Sequence, residues 1–551
     1  MFSLSLLLLL SLLSLLSLLV GSSSSSSDES AILIKGGTVV TADSMRRDTD
    51  VLIVGGKIAD VGRGLAAAGT TVVDATDKLV MPGGIDPHTH LSMPFMGQEA
   101  CDDFYSGHVA ALAGGTTFHI DFALPVEHDL LKGFETWRYQ KAEPNAVMDY
   151  AFHMAVTSWS DTVSEDMKTL VERHGINSFK YFLAYKGALM VSDAEFLEGL
   201  VRCKELGALP QVHAENGDGV ARGQDIVFNE MGITEPRGHA LSRPEVLEAE
   251  ATARAIRLAE FVGAPLYVVH VMGETAAEEV AKARFRGSRI IGETVTSAIA
   301  LNDTVLWNAN FTEAAKYVMS PPIRSAASGA AVKAALAGGA LQLLGTDHAV
   351  FNSTQKRAGL NDFRLIPNGV NGIEERMHVA WEELVNAGLV SPMDYVRITS
   401  TEAAKLFNVY PQKGTIAVGS DADVIVLDPT VEHTISAGTH HSRMDTNVYE
   451  GRHVRGKVVT TISRGRLVWH EGKLTAEVTR GSGRYVPLAP FGSAYGGSAL
   501  TMSEKEAKVK AGAGAGAKAG AKTAIERLLD DQQRDVEGSD GGSWEKLHSE
   551  L

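Results

Sequence analysis

The chain has 551 residues, and at roughly 150 residues per domain that length calls for a large barrel or for two to three domains. With 51 Lys and Arg against 67 Asp and Glu, the net charge of −16 gives a surface that repels phosphate backbones and anionic membranes, which argues against nucleic-acid binding. A hydrophobic share of 44% and a charged share of 21% fit a folded globular body and exclude collagenous or mostly disordered chains, while two cysteines, Cys101 and Cys203, cannot build a disulfide framework.

Residues 1–27 form a leucine-rich apolar run closed by the serine tract Ser22–Ser27, the pattern of a secretory leader. No Lys or Arg precedes Lys35, so an uncleaved anchor is the competing reading. Once such a leader is cut, no stable membrane association is expected. At the other end the chain closes on His548-Ser549-Glu550-Leu551, similar to a retrieval signal of the endoplasmic reticulum. Together the two ends point to the secretory pathway and its reticulum lumen, with the cytoplasm as the alternative.

Residues 31–80 read as short strands separated by Gly and Asp turns: Ala31–Lys35, Asp50–Ile58 and Thr71–Asp74. A matching set returns at Asp423–Asp428 and Gly456–Ser463, so segments 31–80 and 411–485 are expected to build one small β-sandwich jointly. Between them, over 81–410, apolar runs alternate with helical patterns such as Leu247–Val262 and Ile373–Ala387, the rhythm of βα units. Eight runs end near His88, Asp121, Thr157, Lys180, His213, His270, Glu293 and Asp347. Eight such units make a (β/α)8 barrel, an α/β fold whose active site gathers at the C-terminal ends of its strands. The remainder, 486–551, holds an Ala/Gly/Lys-rich tail around 503–522 and a short amphipathic pattern at Ile525–Val536. Sequons at Asn302, Asn310 and Asn352 carry no strong glycosylation signal, and Asn352 follows closely on Asp347.

His88 and His90, if they lie on a strand, point to the same side of it, because side chains alternate with period two. If the barrel closes, His213, His270 and Asp347 join them, a nitrogen and oxygen donor set suited to zinc or a similar divalent ion. Lys180 would be buried beside those cations, which is electrostatically untenable for an ammonium unless it snorkels, pairs with a carboxylate or reacts to a carbamate. His119 and His153 read as satisfied core histidines, and His348 should point away from its neighbour Asp347.

The stretches PGGIDPHTHLSMPFMG, DDFYSGHVAALAGGTTFHIDF, NSFKYFLAYKG, QVHAENGD, YVVHV, YVMSPPIR, GTDHAVFN and IPNGVNGIEERM resemble the dihydropyrimidinase and hydantoinase family of the amidohydrolase superfamily, most of all its plant-type members. The resemblance spans about residues 31–485. It implies that His88, His90 and Asp347 hold one Zn2+, that His213 and His270 hold a second, and that Lys180, as N6-carboxylysine, bridges them together with a hydroxide. It implies further that Tyr185 steadies the oxyanion, that Asp347 moves the proton, and that Ser320 and Asn368 bind the amide edge of a small cyclic substrate through their backbone groups. The expected reaction is ring opening of 5,6-dihydrouracil or dihydrothymine in pyrimidine catabolism, by a homotetramer. Hydantoin and allantoin are the alternative rings. A carboxylated ring such as dihydroorotate is disfavoured, since Ser92 stands where related enzymes place an arginine. The non-catalytic collapsin-response mediator proteins share the fold but lack several metal ligands, all of which are present here.

Overall fold

The computed structural model describes residues 31–66 and 69–496. Both proposed targeting segments, the Ala/Gly/Lys tail and the pattern at Ile525–Val536 lie outside those residues. No helix among the described residues is long and apolar enough to cross a membrane.

Five strands open the chain: β1 (Ile32–Val40), β2 (Met45–Val54), β3 (Lys57–Gly62), β4 (Thr71–Asp74) and β5 (Leu79–Pro82). The run expected at Asp50–Ile58 is broken into β2 and β3. Gly55 and Gly56 take positive φ (59° and 78°), the conformation a two-residue hairpin turn demands and glycine supplies without steric cost. Eight strands then alternate with helices: β6 (Gly84–Thr89), after which comes the small hairpin β7 (Pro94–Phe95) and β8 (Gln98–Glu99), then β9 (Thr116–Ala123), β10 (Asp149–Ala155), β11 (Ser178–Phe182), β12 (Leu209–His213), β13 (Leu266–Val268), β14 (Ile290–Val295) and β15 (Leu343–Gly345). The last strands among the described residues are β16 (Val424–Thr434), β17 (His453–Ser463), β18 (Arg466–His470) and β19 (Lys473–Leu474).

The alternating strands form one parallel sheet in the order β15-β14-β13-β12-β11-β10-β9-β6. Its two ends meet. The Asp347 amide donates to the His88 carbonyl at 3.0 Å and the His90 amide to the His348 carbonyl at 2.9 Å, which closes an eight-stranded barrel next to the ligand candidates. Strands β9 and β10 are buried at every position, as parallel strands covered on both faces must be. Ile85, Phe118, Ile120, Ala151, Leu209, Tyr267 and Leu343 pack together, with Phe407 and Leu488 against them.

The helices start and stop where local chemistry says they should. Asp103 and Ser192 make reciprocal capping boxes at the starts of Phe104–Gly114 and Asp193–Leu206, and Gly115, Gly207 and Gly263 end their helices in the left-handed conformation. The helix expected over Ile373–Ala387 begins only at Arg376 and widens into a π segment at Trp381–Asn386. Its first residues are otherwise engaged, since the Gly372 and Ile373 amides donate to His348 Nδ1. Asn302, Asn310 and Asn352 each cap a helical turn with the side chain.

The strands flanking the barrel join in one nine-stranded sheet, β19-β18-β17-β16-β5-β1-β2-β3, with β4 beside β1. The antiparallel pairing of β5 with β16 brings N-terminal and C-terminal segments together, and Ile34, Val51, Ile53, Val80, Val424, Val426 and Ile462 share one apolar cluster. Lys413 is buried between this sheet and the barrel, paired with Asp149 (2.9 Å), Asp421 (3.1 Å) and Asp423 (2.6 Å).

Candidate active site

The C-terminal ends of the barrel strands converge on one pocket. Its wall contains His88, His90, Lys180, Tyr185, His213, His270, Ser320, Asp347 and Asn368, so every site residue named from the sequence reaches the same space. Met93, Phe95, Leu124 and Leu189 supply an apolar side that sequence reasoning did not single out. About 510 Å³ of empty space lies in and before this pocket.

His88 is the penultimate residue of β6 and lines the pocket, with its Nδ1 held 2.7 Å from Glu293 Oε1 and its Nε2 3.2 Å from Asp347 Oδ1. His90 Nε2 lies 3.0 Å from the same Asp347 oxygen. One donor atom from each of these three residues falls within 4.8 Å of the others. Burial works against a proton on His88, but the Glu293 and Asp347 carboxylates outweigh it and lift its pKa to about 9. Burial lowers His90 to about 4, and its Nδ1 has no hydrogen-bond partner. The Glu293 and Asp347 carboxylates thus favour positive charge at His88, while burial keeps His90 neutral.

On the other side, His213 ends β12 and its Nε2 pairs with Glu215 Oε2 at 2.8 Å. Glu215 also accepts from Arg243 at 2.7 Å, and despite the burial of its carboxyl, Arg243 and His213 hold it well below the usual carboxylate range. The His213 and His270 rings stand 4.5 Å apart, and His270 lies 5.4 Å from His88. Burial keeps His270 far below its ordinary pKa, hence neutral. Lys180 is buried between these groups. Its ammonium faces the Phe122 and Phe182 rings at 4.7 and 5.3 Å, and burial pulls its pKa from 10.5 to about 7 against the opposing pull of Asp347 and Glu293.

The donor set fits divalent cations. Imidazoles and carboxylates are the groups such ions bind, and Glu293 and Glu215 fix the ring orientation of His88 and His213 as carboxylates do behind metal-bound histidines. Tyr185, His270 and Asp347 adopt positive φ (62°, 37° and 54°), backbone strain that concentrates at functional sites. Burial raises the Tyr185 hydroxyl to about 12, so it stays a donor near neutral pH.

The histidines set aside do not reach the pocket. His119 bonds Thr89 Oγ1 (2.8 Å) and His108 Nε2 (2.7 Å), and His153 bonds Ser178, Gln211 and the Pro87 carbonyl. His348 turns to Asp102 at 3.0 Å. Asp121 spends one oxygen on Thr89 and the Leu91 amide. Glu293 was visible in sequence only as a strand end. Glu215, two residues after His213, and Arg243 were not singled out at all.

A profile described as the amidohydrolase family matches residues 79–468. A dihydropyrimidinase of Arabidopsis thaliana is 58% identical over 467 residues, covering 85% of this chain and 87% of its own. That of Rattus norvegicus is 47% identical, covering 84% and 90%. Among solved structures, the dihydropyrimidinase of Brevibacillus agri superposes with a TM-score of 0.81 at 45% identity, over 84% of this chain and 99% of that one. A D-hydantoinase (dihydropyrimidinase) of Thermus sp. gives 0.81 at 40% identity over the same shares.

Proposed function

The chain belongs to the dihydropyrimidinase family of the amidohydrolase superfamily, and on that premise we propose that it opens 5,6-dihydrouracil and dihydrothymine hydrolytically to N-carbamoyl-β-amino acids. The observation that carries this reading is the convergence of the four imidazoles, Asp347, Lys180 and Tyr185 on one pocket at the C-terminal mouth of the barrel.

His88, His90 and Asp347 would hold one Zn2+ and His213 and His270 a second. Lys180 would bridge them after its free amine adds carbon dioxide and loses a proton, becoming a carbamate. Bound there, two divalent cations lower the proton affinity of water to give a nucleophile at neutral pH and polarise the carbonyl under attack. The remaining work falls to side chains. Asp347, held far below the usual carboxylate range, is ionised and placed to take the proton of the attacking water and pass it to the departing ring nitrogen. Tyr185 donates its hydroxyl hydrogen to the oxyanion that forms as the carbonyl becomes tetrahedral. Backbone groups of Ser320 and Asn368 hold the amide edge of the ring, while Met93, Phe95 and Leu124 cover its methylene side and exclude water.

The substrate assignment is tested by kcat/KM on dihydrouracil, hydantoin and allantoin, together with zinc content. A tenfold preference for allantoin would overturn it. Hydantoin is the second ring to expect, because a D-hydantoinase of Geobacillus stearothermophilus is 46% identical over 84% of the chain. Light scattering tests the expected homotetramer. Residence in the secretory pathway, inferred from residues 1–27 and His548–Leu551, is tested by the location of the full-length chain in cells.

A further inference from the structure

Lys356 is buried to 1% exposure without being a ligand candidate and without lining the pocket. A buried ammonium is costly unless its hydrogens are all engaged. Here they are: Nζ donates to the carbonyls of Val318 (3.0 Å), Pro367 (3.1 Å) and Gly369 (2.8 Å). No carboxylate among the described residues pairs with it. These three carbonyls belong to two loops. One leads from Val318 into Ser320; the other brackets Asn368 on both sides.

We propose that Lys356 is a positioning residue that sets the spacing between the Ser320 and Asn368 backbones, and thereby the recognition of the ring's amide edge. The loops are otherwise joined by light ties. The Gly369 amide donates to the Val318 carbonyl at 2.9 Å, and Asn368 Nδ2 donates to Ser320 Oγ at 2.9 Å. The second loop also presses close to its neighbours, for a Cβ on Gly369 would stand 2.0 Å from the Ala349 carbonyl oxygen. Lys356 itself ends the short helix Ser353–Lys356, which Asn352 caps and which follows Asp347 in the chain. The clamp therefore references both substrate loops to the segment that carries the proton-transfer carboxylate. Methionine at this position has nearly the same length but donates nothing, so both loops would be released together. Arginine keeps the charge but spreads its donors over a planar fork that does not match three converging carbonyls.

This inference rests on the amide-edge contacts assigned above to Ser320 and Asn368, and the experiment separates the two. Lys356→Met and Lys356→Arg are prepared as full-length zinc-loaded enzyme, and kcat, KM and metal content are measured. Dihydrouracil is compared with glutarimide, which keeps the imide that is cleaved and replaces by methylene the other ring N–H, the donor of the amide edge assigned to the Ser320 and Asn368 backbones. The wild type should process dihydrouracil with the higher kcat/KM. Lys356→Met should raise KM for dihydrouracil at least tenfold with kcat within threefold and zinc unchanged, should shift KM for glutarimide by less than threefold, and Lys356→Arg should fall between. Should Lys356→Met fail to fold, the arginine variant carries the same test, with KM for dihydrouracil expected to rise at least threefold. Unchanged KM in a folded variant, or an equal rise for both rings, overturns the clamp alone. Equal wild-type efficiency on the two rings overturns the amide-edge contact and the clamp with it.

Discussion

Glu293 offers the sharpest test of how the pocket is held, because one carboxylate serves three donors. Its Oε1 accepts from His88 Nδ1 at 2.7 Å and from the His270 amide at 2.9 Å, and its Oε2 accepts from the Tyr267 hydroxyl at 2.5 Å. Glu293→Gln preserves shape and keeps one carbonyl oxygen for His88 and His270, while its new NH2 can donate to Tyr267, whose hydroxyl is free to rotate. What is lost is charge: hydrogen bonds to ionised groups contribute about 1.5–3 kcal/mol and neutral ones about 1, so two weakened bonds amount to about 1–4 kcal/mol. At about 1.36 kcal/mol per tenfold this is about 5- to 900-fold, and part of it is already lost in the ion-free protein. The expected fall in zinc affinity is therefore about 10- to 100-fold, the range found when carboxylates behind metal-bound histidines are removed. Competition against a chelator-buffered zinc series reads it directly, with thermal unfolding in parallel to separate affinity from stability. Affinity within twofold of wild type would refute the orienting role of Glu293.

Lys180→Ala should lose paired metal loading and ring opening together, as read by metal analysis and turnover, and normal hydrolysis by the alanine variant would dismiss the bridge. Tyr185→Phe should keep both ions and lose about 100- to 1,000-fold in kcat, the range for one donor to an oxyanion, measured in the steady state on dihydrouracil. His119→Asn should retain its zinc, because that ring is committed to Thr89 and His108; loss of metal would show a misassigned ligand. His378 should make stability depend on pH. Burial depresses its folded pKa from 6.5 to about 3 while Nε2 accepts from the Val458 amide, so between those values the unfolded chain binds the extra proton. Its contribution is complete above about pH 6.5 and falls away on acidification, by up to about 1.4 kcal/mol per pH unit. His378→Gln, whose carbonyl can accept the same amide hydrogen, should reduce the slope of the unfolding free energy over pH 6.5 to 4 by up to about 1.4 kcal/mol per pH unit, the other buried histidines keeping their share; an unchanged slope would refute this.

What the sequence revealed and what it withheld divide along a physical line. The barrel was legible because fully buried parallel strands are dense apolar runs, and the pocket was legible because every run carries a polar residue near its C-terminal end, five of which (His88, Lys180, His213, His270 and Asp347) line it. Strand alternation suggests that His88 and His90 face one way, although the strand ends at Thr89 and His90 lies just beyond it, whereas convergence of His213, His270 and Asp347 needed closure of the sheet, which no local pattern encodes. The Gly55-Gly56 pair is itself a hairpin signal between two apolar runs, and the positive φ of both glycines separates β2 from β3.

The residues that were invisible are those that act through another group. Glu293 and Glu215 could be placed at a strand end or near one, but nothing in their neighbours along the chain says that they meet His88 and His213. Lys356 is the extreme case. In sequence it stands in Ser-Thr-Gln-Lys-Arg, where a lysine reads as a solvated helix terminus, and its three partners lie 11 to 38 positions away as backbone carbonyls that carry no side-chain signature at all. Ligands to an ion must be of a few chemical types, so their identity betrays them. Groups that set the distance between two loops need only a donor of the right length, and that requirement becomes visible only once the loops have coordinates.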